Sequence, residues 1–150
     1  KTAAITGARY GELCALRVRD YEKKERVLHI REGKTGERIV PLTAEMVSHF
    51  NELAKSKLPD AYLLTRDDGK PWAHSDHDEF MRDAAKAAKL PAGTVFYTLR
   101  HSFIASAISA GMDIYSVAEI TGTSVRMIEK HYGKLLKDRV REAMTAAAFL

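Results

Sequence analysis

The chain has 150 residues, 45% hydrophobic and 29% charged, a balance that excludes a disordered or disulfide-scaffolded chain and supplies one globular domain with a core. Its formal net charge of +4 is a mild basic excess that suits a polyanionic partner without establishing one. The single cysteine, Cys14, excludes a disulfide within the chain, and its setting among Leu13, Ala15 and Leu16 is that of a small core residue in a reducing compartment.

No signal peptide, membrane span, internal repeat or low-complexity tract stands out. Lys1 to Gly7 read as the end of a helix already under way, so the chain is expected to be a trimmed domain. Beyond the break at Thr6-Gly7, Arg9, Leu13 and Leu16 fall on one helical face, with Glu12 three residues from Arg9. An arginine sharing a face with leucines needs an anion, so Arg9 either pairs with Glu12 or points at a bound phosphate with Glu12 steadying it. Arg26 to Arg31 and Arg38 to Leu42 read as two short strands, joined by Glu32-Gly33-Lys34-Thr35-Gly36-Glu37 into a hairpin with Lys34 at its tip. Thr43 is expected to cap a helix that turns Met46, Val47, Phe50 and Leu53 inward and ends before Pro59. Ala61 to Thr65 is a candidate third strand, followed by a turn at Asp67-Asp68-Gly69-Lys70-Pro71. His74-Ser75-Asp76-His77-Asp78 has the composition of a metal cluster. Ser75 and Asp78 instead make a capping pair for a helix carrying Phe80, Met81, Ala84 and Ala88, and no further ligand stands at a zinc spacing, so neither a metal nor another cofactor is expected.

The chemistry concentrates between Tyr97 and Tyr132. Thr98 is a candidate N-cap for a helix that begins at Arg100 or one residue earlier and carries Leu99, Phe103, Ile104, Ala107 and Ile108 at helical spacing. Arg100 would then lie in the first turn, where the helix N-terminus and a guanidinium can grip one anion together. Gly111 ends that helix. Asp113 caps a shorter one, Gly122-Thr123-Ser124 forms a tight turn, and Ser124 caps a third helix that reaches Tyr132 before Gly133 stops it. A last helix, Leu135 to Leu150, shows Leu136, Val140, Ala143, Met144 and Ala147 as one apolar stripe. Each candidate also has a plain structural reading: Arg100 as a solvated helix-start residue, Arg9 and Glu12 as a surface pair, Lys34 as a solvated loop lysine, Tyr132 as a half-buried core tyrosine.

Taken together, Thr6-Gly7-Ala8-Arg9-Tyr10-Gly11-Glu12-Leu13, the hairpin lysine Lys34, Tyr97-Thr98-Leu99-Arg100-His101-Ser102-Phe103 and a tyrosine before a final helix resemble the tyrosine recombinases, also called the phage integrase family. The resemblance implies a mainly α fold with a small antiparallel β-sheet, and a single catalytic domain lacking its first helices and the DNA-binding domain that precedes it in complete members. It implies Arg9 and Arg100 as the phosphate-binding arginines, Glu12 as the carboxylate steadying the first, Lys34 as the hairpin lysine and Tyr132 as the nucleophile. Tyr97 stands where the family most often has histidine, and Thr123 where it usually has histidine or tryptophan; Thr123 and His101 are supporting candidates, Thr123 equally a turn residue.

The implied activity is site-specific DNA cutting and rejoining through a 3′-phosphotyrosyl intermediate, without metal or ATP. The implied partners are double-stranded DNA, other copies of the chain in a homo-tetramer joined through the C-terminal helix, and accessory DNA-bending proteins, with a cytoplasmic, nucleoid-associated location and a prokaryotic or phage origin. Two fixed guanidiniums stabilise the charge that builds on the non-bridging oxygens as tyrosine attacks, and a lysine supplies the proton for the departing 5′-oxygen. A type IB topoisomerase shares this chemistry. The alternative is a non-catalytic helix-turn-helix-like DNA-binding module built from Asp113 to Tyr132, with Arg126, Glu129, Lys130 and His131 facing bases.

Overall fold

The hydrophobic pattern condenses into two apolar clusters that share helices. The computed structural model describes residues 1–31, 33, 36–73 and 75–147. Among these the order is α1 (Thr2–Thr6), α2 (Tyr10–Ala15), a 3-10 turn (Val18–Asp20), β1 (Tyr21–Glu22), β2 (Val27–Ile30), β3 (Arg38–Pro41), α3 (Ala44–Ala54), α4 (His77–Ala87), α5 (Phe96–Ser109), α6 (Ile114–Thr121) and α7 (Val125–Ala146). This is the mainly α architecture with a small antiparallel sheet that the resemblance implied.

The sheet runs β1-β2-β3, with Leu28 opposite Val40 and Ile30 opposite Arg38. Period-two alternation buries Arg38 and Val40 of β3 and leaves Ile39 exposed. Leu28, Ile30 and Val40 join Leu13, Leu16, Leu42, Phe50 and Leu63 in the first cluster. The second gathers Ile104, Ala107, Ile108, Val117, Ala118 and Ile128, with Tyr132, Leu135 and Leu136 packed against it. Helix α5 belongs to both: Phe96 and Leu99 meet the first cluster, while Phe103 and Ile104 enter the second. A helix buried on more than one side needs apolar residues around its circumference, and Arg100 lies within it, buried.

Several start signals act as expected. Thr43 accepts the Met46 N–H, Asp113 the Tyr115 and Ser116 N–H groups, and Ser124 the Met127 N–H. Others give way to tertiary structure. Thr98 is not an N-cap: α5 begins at Phe96, and the Thr98 hydroxyl, inside the first turn, accepts the Val95 N–H. Arg100 therefore sits beyond the first turn, away from the helix N-terminus. Ala61 to Thr65 is not a strand; it makes isolated bridges, Arg17 to Tyr62 and Thr65 to Pro71, and the third strand is Tyr21–Glu22. The Ser75–Asp78 pair does not cap α4, whose N-cap is Asp76 with its carboxylate accepting the Ala73 N–H. Gly133 does not stop the tyrosine helix, because α7 runs unbroken from Val125 to Ala146 and its packing on α5 and α6 outweighs the roughly 1 kcal/mol cost of a helical glycine. Cys14 is half-buried rather than core.

Candidate active site

The site is built on the C-terminal end of α6. Its last carbonyls lack intrahelical partners and carry the negative end of the helix dipole, so cations are favoured there. Three guanidiniums, from β3, from α5 and from the N-cap of α2, take three successive carbonyls. Arg38 Nε donates to Ile120 O at 2.8 Å, Arg100 Nη1 to Thr121 O at 2.5 Å, and Arg9 Nη2 to Gly122 O at 2.5 Å. Gly122 adopts the left-handed conformation (φ 62°) that closes the helix, and Thr123 N–H returns to Ala118 O at 3.0 Å. Arg100 Nη1 also donates to Gly7 O at 2.7 Å, fixing the turn that leads into Arg9.

Glu12 joins the first arginine to the sheet. From the first turn of α2 its carboxylate accepts the Arg9 backbone N–H at 2.8 Å and Arg9 Nη1 at 2.8 Å. It also accepts Arg38 Nη1 at 3.0 Å and Nη2 at 2.6 Å, a two-pronged buried pair. Burial alone would raise the Glu12 pKa; the hydrogen bonds from Arg38 and Arg9 outweigh it and hold the carboxyl below its usual range. Arg9 thus pairs with Glu12 and is also held at Gly122. Burial, and then the charge of Arg9, lowers the pKa of Arg100.

Across from this cluster Arg100 shares a cavity of about 150 Å³ with Tyr97, His101, Thr123, His131 and Tyr132. Tyr97 is half exposed, its ring 4.9 Å from that of His101. The Tyr132 hydroxyl lies 2.6 Å from His101 Nδ1. Burial, followed by Tyr97, raises the Tyr132 pKa, with Arg100 opposing, so the phenol is protonated at neutral pH. Thr123 also lines a second cleft, of about 220 Å³, with Gly36, Arg38 and Glu119.

The fold therefore gathers Arg9, Glu12, Tyr97, Arg100, His101, Thr123 and Tyr132. Lys34 lies outside the described residues. Gly33, in the same hairpin loop, stands beside the arginine cluster, where an added Cβ would be 3.2 Å from both Arg38 Nη1 and Glu12 Oε1. The residue that sequence reasoning missed is Arg38. Its signal was the strand alternation, since it has the same parity as the apolar Val40 and Leu42 and so faces inward. The other omission is the contact between His101 and the tyrosine, which joins residues 31 positions apart.

The fold and cluster define a mainly helical domain that ties Arg9 and Arg100 to adjacent carbonyls at one helix end and sets Arg100 and Tyr132 in one small cavity. Residues 1–139 match the Phage integrase family, and the chain belongs to it. It is 24% identical to the tyrosine recombinase XerA of Pyrococcus horikoshii over 96% of this chain and 52% of that protein, so it spans about half the length of that relative. A crystal structure of XerA recombinase superposes with a TM-score of 0.76 at 29% identity, covering 98% of this chain and 56% of that one. A Tn1549 transposon integrase in complex with transposon right-end DNA shares the fold, with a TM-score of 0.82 at 23% identity over 98% of this chain and 57% of that one. No helix among the described residues is long and apolar enough to cross a membrane.

Proposed function

We propose that the chain is the catalytic domain of a site-specific DNA recombinase that cuts and rejoins strands through a 3′-phosphotyrosyl intermediate. The observation that carries this reading is the pair of arginines tied to adjacent carbonyls at one helix end, beside a cavity that Arg100 shares with Tyr132. Among the described residues the Arg100 Nε–H is buried without a hydrogen-bond partner, a donor suited to a phosphate oxygen. Arg9 and Arg100 bind the non-bridging oxygens, in positions set before substrate arrives, and stabilise the charge that develops there. Glu12 holds Arg9. Tyr97 and Thr123 add hydroxyl donors at the rim of the same cavity.

Tyr132 attacks phosphorus, its Oη–P bond forms as the P–O5′ bond breaks, and Lys34 gives the leaving oxygen its proton. The phosphotyrosyl link keeps the phosphodiester energy, so attack by another strand's 5′-hydroxyl rejoins DNA without ATP. In this reading a DNA-binding domain and further helices precede the catalytic domain, and copies assemble as a tetramer on double-stranded DNA through the C-terminal helix, with DNA-bending proteins assisting. The protein would work in the cytoplasm at the nucleoid. The helix-turn-helix reading is weaker, because the turn between α6 and α7 is occupied in holding Arg9 and Arg100, residues a non-catalytic reader does not need.

The test is incubation with nicked DNA carrying a recombination site, followed by denaturing electrophoresis. The parent is expected to leave a covalent protein–DNA adduct, Tyr132→Phe none at nearly unchanged DNA affinity. An adduct formed by the Phe variant would overturn the assignment. Arg9→Ala or Arg100→Ala is expected to slow adduct formation by orders of magnitude, since one lost oxyanion donor costs about 3 to 4 kcal/mol.

A further inference from the structure

The Tyr132 phenol must lose a proton as its oxygen attacks, and its raised pKa keeps that proton in place at neutral pH. Lys34 serves the other side of the reaction, the leaving oxygen. Helix α5 places a basic nitrogen beside the phenol: His101 Nδ1 is 2.6 Å from Tyr132 Oη, within the 2.6–3.2 Å reach of a proton acceptor. His101 follows Arg100 in the chain, so the two side chains leave the helix about 100° apart and one rigid element aims one at the phosphate and the other at the nucleophile. Both line the cavity that holds the tyrosine ring. The cavity's other candidates fit less well. Tyr97 is itself a phenol, and His131 adjoins Tyr132 on α7, where consecutive side chains also diverge by about 100°.

Resting on the reading of Tyr132 as nucleophile, we propose that His101 is the general base of strand cleavage, accepting the Tyr132 proton at Nδ1 and returning it during rejoining. Nδ1 accepts when the ring hydrogen is on Nε2. In cleavage the Oη–H bond breaks and its proton moves to Nδ1, the Oη–P bond forms, the P–O5′ bond breaks, and O5′ takes the Lys34 proton. The imidazolium then stands beside the phosphotyrosine. In rejoining, the 5′-hydroxyl attacks phosphorus and gives its proton back to Lys34, while the imidazolium protonates the departing phenolate. Each proton has a donor and an acceptor in both directions, and no further reactant is needed.

The experiment uses the full-length protein in single-turnover adduct formation on two nicked substrates, one ordinary and one with sulfur as the bridging 5′ atom, a leaving group that needs no proton. His101→Ala is expected to slow adduct formation roughly 10²- to 10⁴-fold on both substrates, with DNA affinity and melting temperature unchanged. Lys34→Ala is expected to be slow on the ordinary substrate and near the parent on sulfur. Added imidazole is expected to restore part of the His101→Ala rate. His101→Asn, which keeps a hydrogen-bonding group without the basicity, is expected to stay slow. The proposal is overturned if His101→Ala cleaves at close to the parent rate, if sulfur relieves its defect, or if His101→Asn matches the parent. Persistence of the adduct in Tyr132→Phe would instead show that the nucleophile is another residue, a distinct failure that removes the basis for a base at this position.

Discussion

Glu12 shows how much one carboxylate can organise. Its side chain is almost wholly buried and accepts bonds from Arg38, from the Arg9 backbone and from the Arg9 side chain. Arg38→Ala would leave the carboxylate without its two-pronged partner, so a loss of about 3 to 5 kcal/mol in urea unfolding is expected. The double variant Glu12→Gln with Arg38→Met removes the uncompensated charge and should recover much of that stability while still impairing cleavage, because Arg9 has lost its brace. The pH dependence has a definite sign. A folded-state pKa below the unfolded value of about 4.3 gives stability that is present above that value and lost as pH falls through the folded pKa. The gap in unfolding free energy between the parent and Glu12→Gln should therefore shrink on acidification through this window, and a gap constant from neutral pH to acid would show that the carboxylate is not held in its charged form.

At the scale of elements, two glycines make opposite demands. Gly7 closes α1 with φ at +64°, and an added Cβ would meet Phe103 Cδ1 at 2.5 Å. Gly7→Ala combines left-handed strain of about 1–2 kcal/mol with a clash against α5, and it displaces the carbonyl that holds Arg100, so both melting temperature and cleavage should fall. Gly133 lies inside α7, where an added Cβ meets nothing within 4 Å. Gly133→Ala should raise stability by about 0.5–1 kcal/mol in denaturant unfolding. A loss of stability there would mean that α7 is not continuous through Gly133 in solution.

For the whole molecule, α7 divides the apolar stripe between two tasks. Leu135 and Leu136 pack on the second cluster within the chain, whereas Val140 and Met144 are 59% and 60% exposed. The stripe is therefore not wholly free for the subunit contact that the family resemblance implies. Deleting residues 140–150 should leave the melting temperature of the protein nearly unchanged and weaken assembly on DNA, whereas deleting 135–150 should lower the melting temperature as well. Analytical ultracentrifugation with and without DNA, beside thermal melts, checks both expectations; equal assembly by the parent and the shorter deletion would take the helix end out of the proposed tetramer.

Local chemistry reaches only a few residues, and at three helix starts and one ion pair the sequence was sufficient, though not at Thr98 or at the Ser75–Asp78 pair. Thr43, Asp113 and Ser124 begin helices because each side chain reaches an N–H two or three positions ahead, and the Arg9–Glu12 pair is one helical turn in length. Family resemblance added Arg100 and Tyr132 on the strength of motif order. Thr98 and Gly133 misled because a start or stop signal worth about 1 kcal/mol yields to the burial of a whole helix face. The remainder belongs to tertiary structure alone. Arg38 meets Glu12 across 26 positions, Arg9 meets Gly122 across 113, and Tyr132 meets His101 across 31. Strand parity turns Arg38 inward, but nothing in the chain's periodicity names the partner in any of these contacts, since they exist only once packing has brought the end of α6, the hairpin and α5 together.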